Sequence, residues 1–171
     1  MRAPAWAIAF SLLLTGCASL KREDCVQADW YTIGLEDGAR GRAVERLGDH
    51  RRACAEHNIA PNAERYMAGR NEGLKTFCTY ERGYSEGRAG HAYAAACPQP
   101  TNFLAGYNRG RELHALYRER DEIERETTKT RNALREGIPE PRARARAIER
   151  LEQLTREAEQ IQGRIQAAER R

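Results

Sequence analysis

The spacing aromatic-x2-Gly-x3-Gly occurs four times in this chain and constrains its fold more than any other feature. It reads as Tyr31/Gly34/Gly38, Tyr66/Gly69/Gly73, Tyr80/Gly83/Gly87 and Phe103/Gly106/Gly110. At 100° per residue, positions i, i+3 and i+7 of a helix lie within roughly 60° of one another, so each copy puts a ring and two glycines on one face. Glycine inside a helix costs about 1 kcal/mol relative to alanine, so three helical copies forgo on the order of 6 kcal/mol. That is comparable with the whole stability of a small domain. The faces are therefore expected to pack closely against one another inside the domain.

The front of the chain is a targeting segment. Arg2 supplies a short positive region, Ala5 to Leu14 an apolar one, and Leu14-Thr15-Gly16-Cys17 a small-residue cleavage site ending in cysteine. The apolar run is too short to span a bilayer, which takes about 20 residues. Leu-x-Gly-Cys resembles a bacterial lipobox. Residues 1–16 are then a lipoprotein signal peptide, and Cys17 is the acylated mature N-terminus, with palmitate or similar chains as its membrane-lipid partner. Residues 17–24 are the lipidated cysteine and a polar tether, whose Ala18 to Asp24 reaches at most about 23 Å. Ala18, in place of Asp, points to the outer membrane, with the protein facing the periplasm.

Four cysteines remain, Cys25, Cys54, Cys78 and Cys97. In a small exported domain poor in large aliphatic residues they read as two disulfides, with three possible connectivities. A competing reading is metal, because Cys54-Ala-Glu-His57 has ligand-like spacing and His50 lies one heptad earlier. The oxidising compartment favours disulfides, and neither metal nor another cofactor is expected.

Taken in order, the chain is mainly α. A first aromatic-glycine helix starts at Asp29 and runs towards Gly41, and a second covers about Ala43 to His57. If these two form a hairpin, Cys25 and Cys54 come level and a bridge between them follows. Pro61 and Asn62 are a stop and a cap for a third helix that runs to about Cys78. From Tyr80 the sequence reads as an ordered tyrosine-glycine loop, so the third copy of the pattern is expected not to be helical, and a Cys78–Cys97 bridge would staple that loop shut. These pieces make a small disulfide-stapled helical domain over residues 25–110.

A long helix beginning near Asn102, after a cap at Thr101, carries Phe103, Gly106 and Gly110 into the core and then becomes an Arg/Glu-rich solvated helix. Leu113, Leu116, Arg120, Ile123, Thr127, Thr130 and Leu134 form a weak heptad seam. Gly137 to Pro141 forces a turn. The last helix has a fully apolar seam, Ala147, Leu151, Leu154, Ala158, Ile161, Ile165 and Ala168. Residues 111–171 are thus a charged, coiled-coil-like antiparallel helical hairpin that either lies on the core or finds a partner helix, including a second copy of itself.

Trp30 with Gly34, Asp37-Gly38 and Gly41, Arg51 to Cys54, Tyr66 with Gly69-Arg70 and Gly73-Leu74, Phe77-Cys78, and Gly83-Tyr84, Gly87, Gly90, Tyr93 and Cys97 together resemble an uncharacterised family of small Gram-negative envelope lipoproteins. The resemblance covers about residues 25–110. It implies compartment and domain extent, and no activity comes with it.

For function, the residues point to a non-enzymatic envelope lipoprotein, a structural or interaction module. Tyr84, Arg88 and Tyr93 are its candidate interaction surface, since aromatic and Arg side chains are favoured at binding hot spots. The hairpin is its candidate site for an envelope protein partner or for self-association. The alternative is a protein that binds or hydrolyses cell-wall glycan, which would need paired carboxylates. Asp37, Glu72, Glu81 and Glu86 are available, with His91 near them, but no nucleophile elbow, zinc helix or phosphate loop joins them. The run Arg142-Ala-Arg144-Ala-Arg146 reads as a solvated helix start, with an anionic-lipid patch as the competing reading. Nucleic acid is excluded as a partner by export.

Overall fold

The computed structural model describes residues 21–93 and 95–171; the signal peptide expected over residues 1–16, the acylation expected at Cys17 and the start of the expected tether at Ala18 lie outside the described residues. Among the described residues the chain forms helices only. They are α1 (Arg22–Val26), α2 (Trp30–Ala39), α3 (Arg46–Ala55), α4 (Ala63–Phe77), α5 (Tyr80–Ala89), α6 (Thr101–Glu136) and α7 (Pro141–Glu169). No helix among them is long and apolar enough to cross a membrane.

The four aromatic-glycine faces pair off. α2 packs along α4 and α5 along α6, and the glycines account for both pairings. A Cβ on Gly34 would lie 2.0 Å from the Tyr66 carbonyl oxygen, and one on Gly69 would lie 1.9 Å from that of Tyr31. One turn on, Gly38 faces the carbonyl of Arg70 and Gly73 that of Leu35. The second pair repeats the scheme: Gly83 faces Phe103, Gly106 faces Tyr80, Gly87 faces Tyr107 and Gly110 faces Tyr84, each at 2.0–2.2 Å from the would-be Cβ. Backbones this close bring Cα–H groups onto carbonyl oxygens, a weak but repeated attraction. Any side chain at these eight positions would push the helices apart.

The chain is consequently two units of one plan. In each, a cysteine ahead of the first glycine helix is bonded to a cysteine ahead of the second. Cys25 pairs with Cys54 across 29 residues and Cys78 with Cys97 across 19. Of the four rings, Tyr66 and Phe103 are buried, while Tyr31 and Tyr80 are largely exposed. The units join where Phe77, at the end of α4, stacks on Phe103 of α6 with ring centroids 5.2 Å apart. Cys97 closes that cluster.

Local signals set the helix ends. The Asp29 side chain accepts from Tyr31 N, Asn62 from Arg65 N and Thr79 from Arg82 N. Gly90 ends α5 in the left-handed region at φ 79°. Glu140 caps α7 with Pro141 in its first turn.

Four expectations need correction. The third aromatic-glycine copy is helical, because Thr79 and Gly90 cap it and Gly83 and Gly87 seat it on α6. The tyrosine-glycine loop therefore shrinks to residues 90–100. The end of the tether is ordered, since α1 begins at Arg22 and carries Cys25 into a buried disulfide. The Cys25–Cys54 bridge forms as expected, yet the long partner of α2 is α4 and not the second helix; α3, shorter than expected at its start, sits in the connection between them. Finally, α6 starts at Thr101 with Pro100 in the cap position, so Thr101 makes no side-chain cap.

Candidate functional site

Three places hold residues whose chemistry exceeds packing. The first is a buried polar cluster between α2, α3 and α4. Tyr66 Oη donates to Asp37 Oδ2 at 2.9 Å, and His50 Nε2 lies 2.9 Å from the same oxygen. The rings of Trp30 and Tyr66 meet His50 edge-on, with centroids 5.9 and 5.7 Å away. Burial, and then the hydrogen bond to Asp37, push the Tyr66 phenol well above its ordinary range. Arg70 is also buried; its guanidinium donates to the Arg42 carbonyl at 2.8 Å, and its Nε has no protein partner. A carboxylate whose Oδ2 is held this way ties three helices together. In the sequence alone Asp37 reads as one of several loose carboxylates and His50 as a neighbour of a metal-like spacing. The missed signal was Asp37 three residues beyond Gly34, on the face that α4 covers.

The metal spacing itself is dispersed. Cys54 is consumed in the disulfide and His50 in the cluster. Among the described residues no group of three or more His, Cys, Asp or Glu is placed to hold an ion. The other carboxylates stand apart. Glu72 pairs with Lys75, and Glu86 pairs with both Arg82 and His91.

The second place is the surface expected at Tyr84, Arg88 and Tyr93. Tyr84 packs on the cluster of Leu113, Leu116, Ile161, Ile165 and Ala168 where the hairpin begins. Arg88 lies over the Tyr117 ring, 5.8 Å from its centroid, and its carbonyl accepts from His114. Tyr93 belongs to a different cluster, against Phe103 and Tyr107 with centroids 5.9 and 5.7 Å away. Tyr84 and Arg88 thus buttress the base of the hairpin, and Tyr93 covers the junction of the two units.

The third place is the hairpin. α6 is about 54 Å long and α7 about 43 Å at 1.5 Å per residue, and α7 returns antiparallel along α6. Their seam is closed near the base, where Leu113, Leu116, Leu154, Ile161, Ile165 and Ala168 are buried. Towards the tip it is looser, since Ile123, Thr127, Thr130, Leu134, Ala147 and Leu151 are only half-buried. Ala158, between the buried Leu154 and Ile161, is exposed, although the heptad reading puts it in the seam. One flank is bridged by charge. Arg150 grips Glu126 through two bonds of 2.9 Å, and Arg164 meets Glu119 at 2.8 Å. The other flank holds an open groove of about 750 Å³, floored by Ile123, Thr127, Ala158 and Gly163. A Cβ on Gly163 would touch nothing within 4 Å, in contrast to the eight glycines of the helix pairs.

The family comparison matches the two-unit domain. Residues 29–112 match a family described as "Protein of unknown function (DUF2799)". The chain is also 26% identical over 95 residues to the "Uncharacterized protein YfiL" of Escherichia coli (strain K12), covering 54% of this chain and 74% of that protein. No solved structure matches.

Proposed function

We propose, from the premise that residues 29–112 match a family without an assigned function, that this chain is a non-enzymatic lipoprotein of the bacterial envelope. It is anchored through acylated Cys17, faces the periplasm, and uses its hairpin as a docking arm. The observation that carries the reading is the pair of disulfides directly behind a leader ending in Leu-x-Gly-Cys. Structural disulfides persist in exported proteins and are rare where thiols are kept reduced. The two units form a rigid base, and α6, continuous from their core, carries the arm outward. The open groove beside Gly163 suits a further helix, because a glycine in an exposed helical position costs stability unless a close neighbour uses it.

Fatty-acid labelling and fractionation test the anchor. In a Gram-negative host the full chain is expected to take up labelled palmitate and to stay with the membranes, whereas Cys17→Ser takes up none. A chain that stays in the cytoplasm, unlabelled and with free thiols, would overturn the proposal. The absence of catalysis is tested separately on cell-wall fragments, where turnover that disappears in Glu72→Gln or Glu86→Gln would replace this reading with the glycan-hydrolysing one.

A further inference from the structure

The net charge of the chain is concentrated at one end of the hairpin. Residues 129–146 hold six basic side chains, Lys129, Arg131, Arg135, Arg142, Arg144 and Arg146, against two acidic ones, Glu136 and Glu140. That difference of +4 equals the net charge of the entire sequence, leaving 23 basic and 23 acidic side chains in the remainder. All six cations are exposed. Among the described residues only Arg146 has an ion-pair partner, Glu140 at 4.0 Å, and the Glu140 carboxylate is engaged in capping α7. Lower on the hairpin several basic groups are paired, as in Arg125 with Glu122, Arg150 with Glu126 and Arg164 with Glu119. The tip also carries apolar groups. Ile138 and Pro139 form its apex, and Ile148 is 46% exposed one turn below the Arg142–Arg146 run.

We infer that this tip docks end-on against an anionic lipid surface, with the six cations against headgroup phosphates and the Ile138-Pro139 apex in the interface. The geometry favours a surface. Arg142 and Arg144 lie about 200° apart around α7 at 100° per residue, and Lys129, Arg131 and Arg135 come from the other helix, so the charge encircles the end of a rod. A nucleic-acid groove or an acidic helix would engage a stripe along one side, whereas a plane met end-on engages the whole ring. Basic residues around an apolar apex are the chemistry that holds helices at anionic bilayers. The inference does not depend on acylation of Cys17. In the sequence alone the Arg142 to Arg146 run reads as a solvated helix start; the three cations that α6 adds, and the absence of ion pairs at the tip's cations other than Arg146 among the described residues, favour a surface instead.

Vesicle co-sedimentation tests it with the chain from residue 18 onward, which retains every described residue and lacks the acylation site. Binding is expected to phosphatidylglycerol-containing vesicles and not to phosphatidylcholine alone, with a marked fall between about 0.05 and 0.5 M salt. Replacing Arg142, Arg144 and Arg146 with Gln is expected to weaken binding at least about tenfold, and Ile138→Asp is expected to weaken it as well, with helicity unchanged. A control triple at Arg51, Arg118 and Arg156, exposed cations away from the tip, is expected to stay within about twofold of the parent. Failure to bind anionic vesicles, or equal loss in the control triple, would overturn the inference. So would tighter binding to polyglutamate or duplex DNA than to the vesicles, which would assign the tip to a protein or nucleic-acid partner. Displacement by inorganic phosphate beyond its ionic-strength effect would likewise overturn it, in favour of a discrete ion site.

Discussion

Gly34 and Tyr66 stand backbone to backbone: a methyl group on Gly34 would sit 2.0 Å from the Tyr66 carbonyl oxygen, and Gly69 makes the reciprocal approach to Tyr31 at 1.9 Å. Neither obstacle is a side chain that could swing away. Gly34→Ala and Gly69→Ala are each expected to cost about 3 kcal/mol or more, since overpacking here must separate two helices. Gly163→Ala, with open space around it, is expected to raise stability by up to about 1 kcal/mol. Urea denaturation of the three variants checks the contrast. Equal effects at Gly34 and Gly163 would mean that the α2–α4 contact does not depend on glycine.

The polar cluster sets a pH response. The Tyr66 phenol is raised above its ordinary value of 10.0 by burial first and by Asp37 second. The folded state therefore favours the neutral form, and that contribution is complete below pH 10 and is lost as pH rises beyond it. Tyr66→Phe is expected to cost about 1–3 kcal/mol at neutral pH, because Asp37 loses a donor, and to flatten the alkaline fall in melting temperature. At the acid end, the hydrogen bond from Thr32 holds the exposed Asp29 below its usual range, and that from Arg150 does the same for the half-buried Glu126. Their contributions are present above the ordinary carboxylate range and fade as pH drops through it. Melting curves from pH 2 to 12, as an approximate span, separate the two limbs.

The disulfides close 29-residue and 19-residue loops. In the chain-entropy model each is expected to contribute about 3–4 kcal/mol. Replacing either pair with serine should lower stability by that order, with Cys25/Cys54 loosening α1 and α3, and Cys78/Cys97 loosening the loop over residues 90–100. Hydrogen exchange resolves which segment opens. Exchange that rises equally everywhere in both double variants would contradict this assignment to separate units.

The sequence carried the helical class, close packing at the aromatic-glycine faces and both disulfides because these rest on strong local rules: glycine at i+3 and i+7, Asn62 and Asp29 as caps, and four cysteines in a small domain. It did not carry which helix pairs with which, since its reading puts α2 on the second helix and α2 packs on α4. It misled at Tyr80 to Ala89, where ten residues with two tyrosines and two glycines look like a loop until α6 supplies the backbone that Gly83 and Gly87 need. It was silent on the Asp37–His50–Tyr66 cluster, since residues 13 and 29 positions from Asp37 meet only after α2 has packed on α4. The largely unpaired ring of charge at the hairpin tip was half-legible. Arg142 to Arg146 is visible as a run, but its union with Lys129, Arg131 and Arg135 requires the turn to be folded.

The hairpin groove carries a prediction on assembly. With Ile123, Thr127 and Ala158 uncovered and Gly163 flat, the chain from residue 18 is expected to self-associate at micromolar concentration. Gly163→Leu, whose Cβ would meet nothing within 4 Å in the monomer and whose branched end would occupy the groove, is expected to abolish it. Sedimentation velocity reads the outcome. A monomer in both cases would contradict self-association and leave the groove to a different helix.

The most direct measurement is the intact and peptide mass of the native protein taken from membranes without reduction. Envelope anchoring on a disulfide-closed domain predicts a mature chain starting at an acylated Cys17, with Cys25 linked to Cys54 and Cys78 linked to Cys97. An unmodified Cys17 with the other four cysteines as free thiols would contradict both the anchor and the stapled two-unit domain.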